Sequence, residues 1–248
     1  MKIIFPCMIA LAITFGGAAL AADVPGYVAR AVANPTRPKA DRKFDAHRLP
    51  AETIAFAGVK PGMVIGEFIP GYGYFTRLLS DIVGPKGRIY GLENINWTNP
   101  AFDKALTSER GRSNVIFVHG RFGEFVLPEK IDLFWITQNY HDLHVTEYGL
   151  IDLAAFNREV FDALKPGGIY FISDQEANPG TTEAQIEALH RIEKTQVIRE
   201  VTAAGFILIG ESDVLHRAGD DHTRSIFDAV VRNQTDQFML KFQKPQMQ

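Results

Sequence analysis

Cysteine is almost absent. The 248-residue chain has one, Cys7, in an apolar run at the N terminus. If that run is a leader that is removed, the mature chain has no cysteine, which excludes disulfides, a thiol nucleophile and thiolate metal ligands. A thiol-free chain suits an oxidising compartment. A basic surplus is lacking too. Lys and Arg number 26 against 29 Asp and Glu, a net charge of -3. That leaves no excess of positive charge to neutralise a phosphate backbone, so nucleic acid is not the expected partner. Internal repeats and low-complexity segments are missing as well. The 46% hydrophobic and 11% aromatic content excludes disorder and supports a full core. The length suits one large α/β domain or two small ones.

The first residues read as an export leader. Lys2 is a short positive start, the stretch from Ile3 to Leu20 is apolar, and Ala19-Leu20-Ala21 places small residues at the two positions read by signal peptidase. Cleavage is expected after Ala21. The apolar run is near the lower length limit for a membrane span. The expected address is therefore periplasmic or secreted, with no stable membrane anchor after cleavage. Residues 22–48 form a polar, proline-punctuated lead-in that wraps on the main domain, with Tyr27–Val32 as a short helix. A single α/β domain is expected over 49–248.

Within that domain the richest stretch runs from Val64 to Thr76. Val64, Ile65, Phe68 and Ile69 are the apolar run of a strand covered on both faces. Gly71 and Gly73 permit a tight turn and close approach of a ligand to main-chain N–H groups. Phe75, Leu78, Leu79 and Ile82 then follow helical spacing. A strand, a glycine turn and a helix in that order form the ligand-binding end of a doubly wound α/β fold. The dinucleotide fingerprint is missing, because its third glycine would fall at Thr76. Further strands are predicted near 87–92, 114–119, 131–136, 168–173, 206–212 and 236–243, with helices between them, the alternation of a parallel sheet. Pro50 to Ala57 reads as a helix before the first strand. A helix carrying Leu153, Phe156, Val160 and Leu164 stops at Lys165-Pro166-Gly167-Gly168, and another opens with Thr182 and Gln185 in capping-box spacing and closes at Gly205. Only the last strand alternates, with Phe238, Leu240 and Phe242 on one face, which marks it as an antiparallel addition.

An acidic residue before the glycine turn (Glu67) and one closing the second strand (Glu93) complete a pattern that resembles the class I S-adenosylmethionine (SAM)-dependent methyltransferases. The resemblance continues at Ile131–Ile136 and at Leu164–Ile172, and spans roughly positions 50 to 243. It implies a doubly wound, seven-stranded, mostly parallel Rossmann-like sheet with an antiparallel last strand. It also implies SAM as cofactor, a small-molecule substrate and methyl transfer. The chain is most similar to a subgroup of predicted exported methyltransferase-like proteins, which carry a Pro-Gly turn, a strand-four motif ending in His and a segment like Glu211-Ser212-Asp213-Val214-Leu215. Three positions depart from the usual pattern. Ile69 stands where the family has glycine, and Arg121 follows strand three where an acidic residue usually contacts the adenine. The Asn/Asp-Pro-Pro-aromatic motif of nucleic-acid amino-methylating enzymes is absent, and Asn139-Tyr140-His141-Asp142 stands nearby instead.

Glu67, Gly71, Gly73, Tyr74 and Glu93 are accordingly the expected cofactor residues, with Glu93 on the ribose hydroxyls and the rings of Tyr72 and Tyr74 against the sulfonium. His141, leaving strand four, is the expected general base with a pKa near 6.5, and Tyr140 the expected wall of the acceptor pocket. Asp220-Asp221-His222-Thr223-Arg224 reads as a salt-bridged loop rather than a metal site, and no metal ligands are assigned. His190-Arg191 reads as a solvated helix face. Two other classes stay open: an exported binding protein that keeps the fold without catalysis, and a nicotinamide or flavin oxidoreductase, which Thr76 and the antiparallel last strand disfavour.

Overall fold

Seven strands make one sheet in the order β3-β2-β1-β4-β5-β7-β6. The computed structural model describes residues 23–95, 101, 104, 111–121, 124–149 and 151–246. The expected leader and cleavage site lie outside these residues. The strands are β1 (Val64–Phe68), β2 (Arg88–Asn94), β3 (Val115–Gly120), β4 (Ile131–Thr137), β5 (Leu164–Gln175), β6 (Ile207–Ser212) and β7 (Gln237–Gln243). Pairing is parallel from β3 through β5, and β7 is inserted antiparallel between β5 and β6. The predicted fold class holds.

The apolar runs form central strands because both faces are covered. In β4, Leu133 and Trp135 point into one core and Phe134 and Ile136 into the other. The first core is closed by α1 (Gly26–Val32), α4 (Pro50–Ala57) and α5 (Tyr74–Val83), through Val28, Ile54, Leu78 and Leu79. The second is closed by α6 (Leu153–Ala163) and α8 (Lys194–Ala203), through Phe156, Val160, Val197 and Val201. At about 25 cal/mol per Å² of apolar surface removed from water, these two layers dominate the stabilisation.

The lead-in is fastened by charge. It holds two short helices, α2 (Lys39–Arg42) and α3 (Asp45–Arg48), and the Asp41 carboxylate of α2 accepts two bonds from the Arg77 guanidinium of α5 at 2.6 and 2.8 Å. Arg37 makes a paired contact to Asp45, at 2.8 Å on both sides. This strap lies beside the glycine turn.

The structure differs from the sequence reading in two places. β5 begins at Leu164 and takes in the Pro-Gly-Gly stretch as a bulge, with Gly167 at φ 76° and an irregular register against β4. The N–H of Gly167 and the carbonyl of Gly168 are taken up by Lys244. The helix expected from Thr182 to Gly205 is two helices, α7 (Glu183–Leu189) and α8. Its capping box forms as predicted. The break is at His190, in the left-handed region at φ 53°, because Arg191 and Ile192 are drawn fully inside.

Candidate active site at the carboxyl edge of the sheet

β1 and β4 are neighbours whose outward connections run to opposite sides, so the crevice beyond their carboxyl ends is the fold's switch point. Both strands leave through a non-glycine residue in the left-handed region: Ile69 at φ 47° after β1 and Gln138 at φ 60° after β4. For a β-branched residue this costs about 1–2 kcal/mol. Ile69 keeps the backbone turn of the expected glycine and adds a side chain packed on the core. Gln138 is held by its N–H on the Ser173 carbonyl at 2.7 Å and by its side chain on Gln237 at 3.0 Å.

The turn itself is built as the sequence indicated. Gly71 has φ 56°, and a Cβ there would meet nothing within 4 Å, so the loop is open to a ligand. Gly73 has φ 75° and stands at the start of α5. Glu67 is buried in β1 between Gly91 and Trp135 of the adjacent strands. It stands one residue before the end of the strand, just ahead of the turn. Glu93 lies near the end of β2, and its Oε2 is 3.3 Å from Nε2 of the exposed His119 on β3. A ligand hydroxyl on Glu93 would share that carboxylate with His119. Arg121 is exposed after β3, and Phe122 lies outside the described residues.

Tyr74 departs from its expected role. Its ring is buried, its hydroxyl donates to Asp45 at 2.7 Å, and the Arg48 guanidinium covers it at 4.5 Å from the centroid. Burial, reinforced by Asp45, raises its pKa. With Arg37 also 5.7 Å from its centroid, the ring serves the strap and is not available to a sulfonium. Tyr72, by contrast, is 59% exposed at the mouth of the turn.

His141 and Tyr140 also need correction. The 3-10 turn His141–His144 tucks both under the surface. His141 Nδ1 is 2.7 Å from Asp174 Oδ1, its Nε2 is 3.2 Å from Asp142 Oδ1, and its side chain is 2% exposed. Burial alone would lower its pKa. The charges of Asp174 and Asp142 outweigh burial and hold it up at about 10. At neutral pH the ring is a cation that cannot take a proton from an acceptor. Tyr140 is fully buried, donates to Glu200 at 2.9 Å and accepts from Asn157 at 2.9 Å. It is a core residue. The His190-Arg191 expectation fails for Arg191, which is fully enclosed and paired with Asp220 at 2.8 Å. The 220–224 loop is salt-bridged as read: His222 and His216 both reach Asp236 at 3.0 Å.

The sequence reading missed the strap's part in the site. A cleft of about 900 Å³ runs between the strap and the glycine turn, lined by Phe44, Arg48, Tyr72, Tyr74 and Arg232 among others. A second cavity of about 220 Å³ shares Phe44, Arg48 and Arg232 and extends to Gln138 and Gln175 at the ends of β4 and β5. The second thereby reaches the carboxyl ends of β4 and β5, beside the switch point. Only the proline-punctuated charge of 22–48 hinted at this.

No protein-family model matches the chain, and no curated protein matches it. Solved structures do. A SAM-dependent methyltransferase from Aquifex aeolicus aligns over 82% of this chain and 97% of its own, at 17% identity and TM-score 0.55. Aeropyrum pernix fibrillarin with natively bound SAM aligns over 80% and 76%, at 18% identity and TM-score 0.52. The [4+2]-cyclase SpnF aligns over 84% and 82%, at 20% identity and TM-score 0.57. The fold is that of the class I methyltransferases. At such identities the likeness concerns the fold, and the cyclase shows that this fold carries other names as well.

Proposed function

We propose that this protein is an exported SAM-dependent methyltransferase acting on a small molecule. The observation that carries the reading is the pairing of an open glycine turn, Gly71 and Gly73, with the Glu93 carboxylate on the neighbouring strand, beside the cleft at the switch point. These residues fit the cofactor: the turn leaves space for close approach, and Glu93 is a partly exposed acceptor for vicinal hydroxyls. Bound there, SAM would supply an electrophilic methyl group on a sulfonium.

What the chain supplies is position and exclusion of water. Glu67 stands just ahead of the turn, Tyr72 borders the entrance, and the strap roofs the cleft. Arg48 and Arg232 on the shared lining favour an acceptor with an acidic group. With His141 enclosed between two carboxylates and Tyr140 in the core, the favoured acceptor is one already nucleophilic at neutral pH. The leader at 1–21 supports a periplasmic or secreted address.

The second reading is an exported binding protein that retains the fold. It is favoured by the removal of both expected catalytic residues from the cleft. SAM carrying a labelled methyl group, incubated with the protein and an envelope extract, separates the two. Label in a small acidic product supports transfer. SAM binding without any label transfer favours the binding protein.

A further inference from the structure

His190 was expected on a solvated helix face, yet its ring is turned inward at the break between α7 and α8. It packs edge-on against His141 with centroids 5.3 Å apart, and against Phe227 at 4.8 Å. Its Nδ1 is 3.5 Å from Asp142 Oδ1, the same oxygen that lies 3.2 Å from His141 Nε2. Ligand atoms of the three side chains all lie within 4.8 Å of one another. His141 and Asp142 are buried and His190 nearly so.

Those distances have a chemical meaning. With metal–ligand bonds of about 2.0–2.1 Å at tetrahedral angles, neighbouring ligand atoms stand about 3.4 Å apart. The two measured edges, 3.2 and 3.5 Å, bracket that value. The outer contacts are also those of a metal site. His141 Nδ1 faces Asp174 at 2.7 Å, which directs Nε2 inward, the carboxylate–histidine–metal arrangement. Asp174 is itself fixed by the backbone N–H groups of His141 and Gln175, at 2.7 and 2.8 Å. Asp142 is oriented through its other oxygen by the Asn139 amide at 2.8 Å.

Charge points the same way. Asp142 and Asp174 bring two negative charges into a nearly dry site, 4% and 0% exposed. A single imidazolium at His141 balances only one of them, and the buried charge that remains is costly. A divalent cation with two neutral imidazoles balances both carboxylates. From this geometry we infer that His141, Asp142 and His190 form a binding site for a divalent metal ion of the zinc class, with Asp174 orienting His141. Two histidines and one carboxylate suit a borderline cation rather than calcium or magnesium, and three protein ligands leave a position for water or a substrate oxygen. The site lies beyond β4 and β5, on the same edge of the sheet as the cleft, but it does not depend on SAM being the cofactor.

The test is metal binding by the full chain. The protein is stripped with chelator, loaded with zinc, passed through ion-free buffer and assayed for retained metal. One zinc per chain is expected. Cobalt in its place should give the intense visible absorption of a four-coordinate ion. His190→Asn removes a ligand while tolerating the left-handed backbone at that position. It should weaken zinc by at least the 10–100-fold that loss of an outer partner typically costs. His222→Ala, in the separate His216–Asp236–His222 cluster, should leave binding unchanged. A parent chain that retains no zinc, a cobalt spectrum of the six-coordinate aquo type, or loss of binding in His222→Ala with retention in His190→Asn would each overturn the assignment. The first two readouts need no variant, so a misfolded His190→Asn leaves the question decidable.

Discussion

Glu159 offers a quantitative test of how the second core is packed. It projects from α6 into an apolar pocket lined by Leu92, Phe125, Leu127, Phe134 and Phe156, and its Oε2 is buried without a hydrogen-bond partner. Burial pushes its carboxyl from 4.5 up to about 7; the Phe125 backbone N–H opposes this and Glu124 adds to it. The folded chain therefore keeps a proton that the unfolded chain releases as pH rises from 4.5 to 7. Stability is highest below that window, falls through it, and is level above it. For a fully enclosed group this shift corresponds to about 3 kcal/mol. Glu159 is only half-buried, and solvent screening reduces the expected loss to about 1 kcal/mol. Glu159→Gln keeps the shape and removes the ionisation. It should raise stability by about 1 kcal/mol at pH 8, or about 2–4 °C in Tm, and change little at pH 4.5. Thermal unfolding at both pH values measures this. An equal shift at the two, or destabilisation at pH 8, would refute the reasoning.

Further predictions concern the strap. Asp41→Asn leaves the Arg77 guanidinium buried beside a neutral partner and should cost about 3 kcal/mol, whereas Asp41→Leu with Arg77→Met should cost less, because no lone charge remains; urea unfolding compares them, and a double variant less stable than the single one would contradict the pairing argument. Tyr74→Phe should lose about 1.5–3 kcal/mol of stability through its bond to Asp45 and leave SAM affinity unaltered, since Arg48 covers the ring; a collapse of SAM affinity in a folded Tyr74→Phe would restore the tyrosine to the cofactor site.

The parallel strands were legible because each is a mainly apolar run between turn residues, and the antiparallel β7 because its apolar residues alternate. The turn conformation at Gly71 and Gly73 and the strand-end position of Glu93 were legible because backbone permissiveness and strand length are local properties. The failures share one cause: partners distant in sequence. His141 reads as a polar loop residue until Asp174, 33 positions away, encloses it. Tyr74 reads as a ligand-facing ring until Asp45, 29 positions earlier, takes its hydroxyl. The break at His190 carries no glycine or proline. It arises because Arg191 must reach Asp220 from the interior, so helical propensity across 182–205 predicts the wrong length.

The measurement that bears most directly on the proposed function is calorimetric titration of the protein with SAM, its demethylated product and NAD. One site per chain for SAM and for the product is expected, with no heat from NAD. Glu93→Ala should weaken SAM by about 1.5–3 kcal/mol, roughly 10- to 150-fold, through loss of bonds to a charged acceptor. Gly73→Asp should weaken it further, because a side chain and a negative charge enter the turn. No SAM binding by the parent, or unchanged affinity in both variants, would contradict the assignment of the glycine turn and Glu93 to SAM.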